Sequence, residues 1–272
     1  MNPVSGASSL SATAGTEAAT TLFSPRDDVS GLAEASGQLG VSLDAEALAR
    51  FARYRELLLE RSAQFNLTAI REPEEIERRL FLDAIAMVPE LDRLTDAGSQ
   101  RTDRSLRLID VGAGAGFPGL ALKIVRPNLN VTLVDATAKK VEFLSEVIAV
   151  LELEHVRAVQ GRAEELGRHS AYRARFELAT ARAVATLPVL LEYVVPFLTI
   201  GGTALLPKGL EIAEELRLGR RAAEILGSEI ISAVALPLGT TRLVVARKVS
   251  PTVAAYPRRV GVPSRDPLGE GS

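Results

Sequence analysis

A glycine-rich segment carries the clearest chemical signal in this sequence. Residues 110–116 read Asp-Val-Gly-Ala-Gly-Ala-Gly, at the end of a short apolar run over 106–111. Glycine has no Cβ, so it allows a tight turn and a close approach of the backbone to a ligand. A helix that begins after such a turn points its free N–H groups at a negatively charged group. The segment therefore predicts a cofactor site that includes Asp110, Gly112, Gly114 and Gly116.

Two classes of cofactor fit this segment. Gly114, Gly116 and Gly119 match the G-x-G-x-x-G pattern of NAD(P)-dependent oxidoreductases, whose loop holds a pyrophosphate. S-adenosylmethionine (SAM) also has a carboxylate that suits a helix N-terminus. Asp135 ends the next apolar run, where an acidic residue binds the ribose of either cofactor. The structural alternative for Asp135 is a helix N-cap.

Three features favour SAM. The acid Asp110 beside the loop suits the ammonium and sulfonium groups of SAM and would repel a pyrophosphate. The sequence has no Tyr-x-x-x-Lys pattern, and its only histidines are His155 and His169, so the groups of dehydrogenase chemistry are missing. A terminal pair of antiparallel strands, predicted below, is typical of methyltransferase folds.

Alternating strands and helices must position this site. Apolar runs predict strands at 106–111, 131–135, 156–159, 176–181 and 203–206. Helical spacing predicts helices at 120–125, 141–151, 187–198 and from Lys208 to about Leu226. Such alternation indicates a parallel sheet with right-handed crossovers. The runs 229–237 and 242–249 predict an antiparallel hairpin. The expected fold class is α/β, a Rossmann-like class I SAM-dependent methyltransferase with a mostly parallel sheet, a terminal antiparallel hairpin and N-terminal helices.

The chain divides into four parts by composition. Residues 1–30 are small and polar and predict a disordered tail. Residues 31–94 form an N-terminal helical region, with one helix over 43–64 capped by Ser42 or Asp44 and another after Pro73. A polar linker over 95–105 leads to the methyltransferase domain at 106–249. A basic tail rich in proline and arginine occupies 250–272.

Composition excludes several classes of site. The sequence has no cysteine, which rules out disulfides, thiolate metal sites and a cysteine nucleophile. It has no His-Glu-x-x-His pattern, so no metal is expected. It also has no apolar run long enough to span a membrane and no leader with a basic and then an apolar part. We therefore expect a cytoplasmic monomer. A net charge of -2 means that any RNA-binding surface is a local patch.

Several motifs together resemble one known family. They lie at 65–70, 108–119, 124–127, 134–136, 139–144, 161–165, 181–183, 206–209 and 256–263. The chain resembles the RsmG family, also called glucose-inhibited division protein B, over 42–209 and 251–268. That family consists of bacterial 16S ribosomal RNA guanine-N7 methyltransferases. The resemblance implies SAM as the cofactor and 16S rRNA, or the small ribosomal subunit, as the partner.

The resemblance also implies roles for particular residues. It assigns SAM contacts to Gly112, Phe117, Ala163, Glu164 and Arg182. Glu164 follows the third strand, where an acid can reach the adenine amino group. Arg182 follows the fourth strand and is expected to position the substrate; its structural alternative is an ion pair. The chain departs from the family pattern at Leu80 and Ala84, where His and Ser are common, and at Ala181, where Ser is common.

RNA contacts are expected from Lys208 and from the basic tail. Arg258, Arg259 and Arg265 can each neutralise a phosphate. Tyr256 can stack on a base. The tail's prolines are expected to prevent regular helix or strand over 250–268. The alternatives are an unstructured terminus and, for the whole chain, an RNA-binding module without catalysis.

Overall fold

The computed structural model describes residues 29–64, 67–96, 105–182, 185–237 and 241–269. Most of the predicted tail at 1–30 and of the predicted linker at 95–105 lies outside these residues.

A seven-stranded sheet in the order β3-β2-β1-β4-β5-β7-β6 organises the chain. The first five strands in that order run parallel, and β7 is antiparallel to both β5 and β6. The predicted hairpin is therefore confirmed, with its second strand in the interior and β6 at the edge. The strands are β1 (Arg107–Val111), β2 (Asn130–Asp135), β3 (Val156–Gln160), β4 (Phe176–Thr180), β5 (Leu198–Lys208), β6 (Ser228–Ala235) and β7 (Arg242–Lys248).

The helices occupy both faces of this sheet. In the N-terminal part they are α1 (Ser30–Gln38), α2 (Ala45–Ser62), α3 (Pro73–Ile76), a π-helical turn (Glu77–Phe81), α4 (Leu82–Ile85) and α5 (Val88–Asp96). Among the strands follow α6 (Gly119–Val125), α7 (Ala138–Val150), α8 (Ala163–Leu166), α9 (Leu187–Val194) with a 3-10 turn (Val195–Phe197), and α10 (Ala213–Leu226). The last is α11 (Val262–Arg265).

Alternate side chains of each strand build two separate cores. On β1, Leu108 joins the core beneath the N-terminal helices, whereas Ile109 joins the core beneath α9 and α10. This is the alternation expected of a strand covered on both faces. The N-terminal helices are thus packed against the sheet and not separate from it.

Local signals explain where the N-terminal helices begin. Asp44 caps α2, since its Oδ1 accepts a hydrogen bond from the Ala47 amide at 2.7 Å. Pro73 begins α3, as expected for a first-turn proline. The helix then widens into the π-helical turn. Such turns are frequent at functional sites, and no sequence pattern predicts them.

The C-terminal segment, residues 249–269, corrects one expectation. We predicted that its prolines would prevent regular helix, but α11 forms over Val262–Arg265. Pro263 lies in the first turn of that helix, where no intrahelical N–H donor is required.

Candidate functional site

The carboxyl ends of the parallel strands meet at one edge of the sheet, the usual place for ligands in α/β folds. A cavity of about 560 Å³ opens there, lined by the loop after β1, the end of β2 and part of the N-terminal region. Gly112, Gly114, Phe117, Asp135 and Arg182 all line it. The structure therefore brings together side chains from three strand ends. A larger cavity of about 760 Å³ lies at the opposite edge, near His155, away from these residues.

The glycine loop turns back over β2. The amides of Gly112 and Ala113 donate to the carbonyl of Val134 at 2.8 and 2.9 Å. Gly112 has φ 72° and Gly116 has φ 100°, conformations that side chains rarely adopt. A Cβ on Gly116 would also collide with the Tyr54 hydroxyl and with Leu120. The loop thus requires glycine for its shape as well as for its access to a ligand.

Aromatic side chains from the N-terminal region support the loop from below. The Tyr54 hydroxyl donates a hydrogen bond to the Ala115 carbonyl. The rings of Tyr54 and Phe117 stack with centroids 5.3 Å apart, and Phe81 lies 5.7 Å from Phe117. Burial raises the pKa of the Tyr54 phenol well above its ordinary value, so this hydroxyl stays protonated as a donor. No local sequence pattern indicates this support, because Tyr54 and Ala115 are far apart in the chain.

Asp110 lies beneath the loop and does not line the cavity. Its side chain is fully buried, and its Oδ2 accepts a hydrogen bond from the Gly119 amide at 2.8 Å. Its Oδ1 has no hydrogen-bond partner among the described residues. Desolvation raises the pKa of this carboxyl to about 7. Asp110 therefore braces the start of α6, on the far side of the loop from the cavity that it was expected to face.

Asp135 faces the cavity and also orders the backbone around it. Its Oδ2 accepts from the Gly114 amide at 3.0 Å, and its Oδ1 accepts from the Thr137 amide at 2.9 Å. The Lys140 ammonium nitrogen lies 3.8 Å from Oδ2. The N-cap of α7 is Thr137, so Asp135 is not itself the cap. Each carboxylate oxygen keeps a second lone pair, which leaves room to accept from ribose hydroxyls.

Ala163 and Glu164 are placed differently from Asp135. Both are buried at the start of α8, and neither is among the residues that line the cavity, although Arg162 is. The Glu164 Oε1 accepts a hydrogen bond from the amide of Gly261, 3.0 Å away in the C-terminal segment. Glu164 therefore links the end of β3 to the C-terminal segment.

Arg182 connects the cofactor cavity with a smaller one. Its Nη2 lies 3.0 Å from Asp83 Oδ2 and 2.6 Å from the Arg79 carbonyl, so the predicted alternative, an ion pair, is present. Asp83 is held in turn by the Thr241 hydroxyl at 2.9 Å. The Arg182 Nη1 is buried without a partner among the described residues. Burial lowers the pKa of Arg182 from its ordinary value.

The smaller cavity measures about 190 Å³ and shares Arg182 with the larger one. Lys208 lies on its wall, where its ammonium group contacts Glu215 at 2.8 Å and the Ala185 carbonyl at 2.9 Å. Asp83 and Thr241 also line it. The sequence alone does not indicate a role for Asp83 or Thr241, because the two residues meet from distant parts of the chain.

The arginines predicted to bind RNA fall into two groups. The guanidinium of Arg258 is bound to the fully buried carboxylate of Glu192 at 2.7 Å and to Asp266 at 3.1 Å. Arg259 and Arg265 are exposed, and Arg265 Nε donates to the Gly261 carbonyl at 3.1 Å. Of the three tail arginines, only Arg259 and Arg265 are exposed, and Arg258 is partly buried.

In the ranges that the structure describes, no group of three or more histidine or acidic side chains is arranged to hold a metal ion. No helix in those same ranges is long and apolar enough to cross a membrane.

The chain is similar to known proteins over most of its length. The family described as rRNA small subunit methyltransferase G matches residues 47–244. "Ribosomal RNA small subunit methyltransferase G" of Acetivibrio thermocellus is 42% identical over 241 residues, which cover 87% of this chain and 95% of that protein. The protein of the same name from Roseiflexus sp. strain RS-1 is 44% identical over 232 residues, covering 84% of this chain and 95% of that protein. The chain therefore belongs to the rRNA small subunit methyltransferase G family.

Proposed function

We propose that this protein transfers a methyl group from SAM to N7 of a guanosine in bacterial 16S rRNA. The observation that carries the proposal is the family match over residues 47–244, a range that includes every residue lining the cofactor cavity. An RNA substrate of this kind also implies that the protein works in the cytoplasm.

The cavity at the carboxyl edge fits SAM by its size and by its chemistry. A volume of about 560 Å³ falls within the range of small-molecule sites. The glycine loop offers close backbone approach, and a Cβ on Gly116 would fill space that the loop needs. Asp135 can accept from ribose hydroxyls, and the apolar ring of Phe117 can pack on the cofactor. When bound, SAM would supply an activated methyl group.

The smaller cavity suits the target base. An enzyme that modifies a stacked base must take it out of the stack and into a pocket. Guanine displays N7 and O6 as acceptors on one edge. Arg182 and Lys208 bring cationic donors to this cavity, and Arg182 also borders the cofactor cavity. A donor on O6 would hold the base while leaving N7 free.

Methylation at N7 requires few catalytic groups. The in-plane lone pair of N7 would accept the methyl group that SAM supplies, and the electron pair of the broken S–C bond would stay on sulfur. No proton has to be removed, so no general base is needed. Holding the base in line with the methyl group supplies much of the rate enhancement. This agrees with a chain that has no cysteine and two histidines.

The proposal is tested by the product. RNA of the small subunit from cells without this modification is incubated with the protein and labelled SAM. We expect N7-methylguanosine, seen as a single strand break at a guanosine after reduction and aniline treatment. Methylation found only on an exocyclic amine or a ribose would contradict the N7 assignment. Binding of labelled SAM without transfer would favour a non-catalytic RNA-binding module, and calorimetric binding of NAD instead of SAM would favour an oxidoreductase.

A further inference from the structure

The C-terminal segment is fixed against α9 and against the loop that precedes β4. Arg258 binds the buried Glu192 of α9, and the hydroxyls of Tyr193 and Ser264 lie 2.9 Å apart. The Arg173 guanidinium donates to the carbonyls of Thr252 at 2.7 Å and Tyr256 at 2.8 Å. These are contacts of a docked element and not of a free arm.

One contact of the segment reaches the end of β3. The amide of Gly261 donates to Glu164, whose side chain is only 4% exposed. Glu164 lies in the first turn of α8, and Arg162, just before that turn, lines the cofactor cavity. Nearby, a Cβ on Gly167 would come within 3.0 Å of Pro257. The segment thus lies against α8 at its first turn and just after its end.

The path of a nucleoside ligand explains why this contact matters. In such folds the loop after the first strand holds the charged end, and the acid after the second strand holds the ribose. The Gly161 amide donates to the Asp135 carbonyl at 3.0 Å, so the end of β3 lies beside Asp135, and Arg162 lines the cavity on that side. We therefore place the base end of the nucleoside beside Arg162, the residue before α8.

We propose that the C-terminal segment is a positioning element of the cofactor site and acts through Gly261 and Glu164. The inference rests on the proposed function, since the ligand is the nucleoside end of SAM. From the sequence, the cofactor residues are expected only up to Arg182, and the tail is expected to bind RNA. The proposal gives the C-terminal segment a role in the cofactor site as well. Release of Gly261 frees the Glu164 carboxylate and loosens α8, which has only four residues.

Two glycine-to-alanine variants distinguish an effect on SAM binding from a general loss of stability. Gly261 has φ 78°, and no atom lies within 4 Å of a Cβ built there, so Gly261→Ala strains only the backbone. Gly201 has φ 84° and the same open surroundings, near the amino end of β5, so Gly201→Ala is the matched control. Both variants should lower Tm by similar amounts. Gly261→Asn should recover most of the loss, since Asn tolerates left-handed backbone.

Calorimetry with SAM and initial rates with RNA give the test. Gly261→Ala keeps the amide but disfavours the left-handed backbone that points it at Glu164, so it should raise the Kd and the KM for SAM by roughly tenfold, as for the loss of a hydrogen bond to a charged group, while kcat at saturating SAM stays unchanged. Gly201→Ala should bind SAM as the wild type does. Wild-type affinity in Gly261→Ala, with Tm lowered as in the control, would overturn this inference alone. A wild-type protein that does not bind SAM would overturn the proposed function and this inference with it.

Discussion

The Asp110 carboxyl is fully buried, and its position beneath the glycine loop controls its protonation. Desolvation raises its pKa from 3.8 to about 7, whereas in the unfolded chain it keeps its ordinary value. Between these values the folded protein binds a proton that the unfolded chain does not. The stability that this proton contributes is complete below about pH 4 and is lost as the pH rises to about 7.

Asp110→Asn should remove this pH dependence, because an amide does not titrate and its oxygen can still accept from the Gly119 amide. The free energy of unfolding of the variant, relative to the wild type, should rise by roughly 2–3 kcal/mol between pH 5 and pH 8. Urea denaturation of both proteins at a series of pH values measures this. Parallel curves for the two proteins would show that Asp110 does not titrate in this interval.

Asp135→Ala should weaken SAM binding by roughly 1–3 kcal/mol, the usual cost of leaving buried polar groups without partners. It should also lower stability, because the amides of Gly114 and Thr137 lose their acceptor. Asp135→Asn is the matched control, since it keeps one acceptor oxygen for these amides and loses the charge. Calorimetry gives the Kd for each variant. An unchanged Kd in Asp135→Ala would mean that Asp135 only orders the turn before α7 and does not bind SAM.

At the scale of elements, one ion pair ties the C-terminal segment to α9. Arg258→Gln should lower the free energy of unfolding by about 3–5 kcal/mol, because the charge of Glu192 would remain buried without its partner. The neighbouring Arg259→Gln is the control and should change stability by less than about 0.5 kcal/mol, since its side chain is exposed. Denaturant unfolding measures both. Equal small losses would mean that the pair contributes little.

The elements of the sheet could be predicted because their signals are local. The strands β1 to β4 were expected within one residue of their observed bounds, whereas β5 begins at Leu198, earlier than the predicted 203–206. The short helix α8 was missed, since four residues cannot show helical periodicity. The insertion of β7 between β5 and β6 is a long-range pairing, which no local pattern specifies.

The candidate site could be predicted where sequence neighbours form it. The glycine loop and Asp135 line the cavity, because they end adjacent parallel strands. The roles of Tyr54, Asp83 and Gly261 depend on partners far away in the chain, so the sequence could not indicate them. Arg258 was expected to bind RNA from its charge alone, but Glu192 holds it inside the fold.

At the scale of the whole molecule, the exposed tail arginines remain the proposed RNA contacts. Arg259→Gln should reduce the slope of log affinity for RNA against log salt by about 1, the change for one lost phosphate contact. SAM affinity should be unchanged, because this exposed side chain makes no hydrogen bond or ion pair with a cofactor residue in the described ranges. Salt titrations of RNA binding test this. An unchanged slope would indicate that RNA binds to other basic side chains instead. Arg79, whose side chain is 59% exposed, is one of them.

The order of strands in the sheet has a consequence for synthesis of the chain. β6 emerges from the ribosome before β7, yet β6 joins the sheet only through β7. Until residues 242–248 have been made, β6 has no strand to pair with and β5 has one open edge. An open strand edge invites pairing with other chains. Nascent chains that stop before β7 should therefore aggregate, and the β5 edge is protected only once β7 has been made.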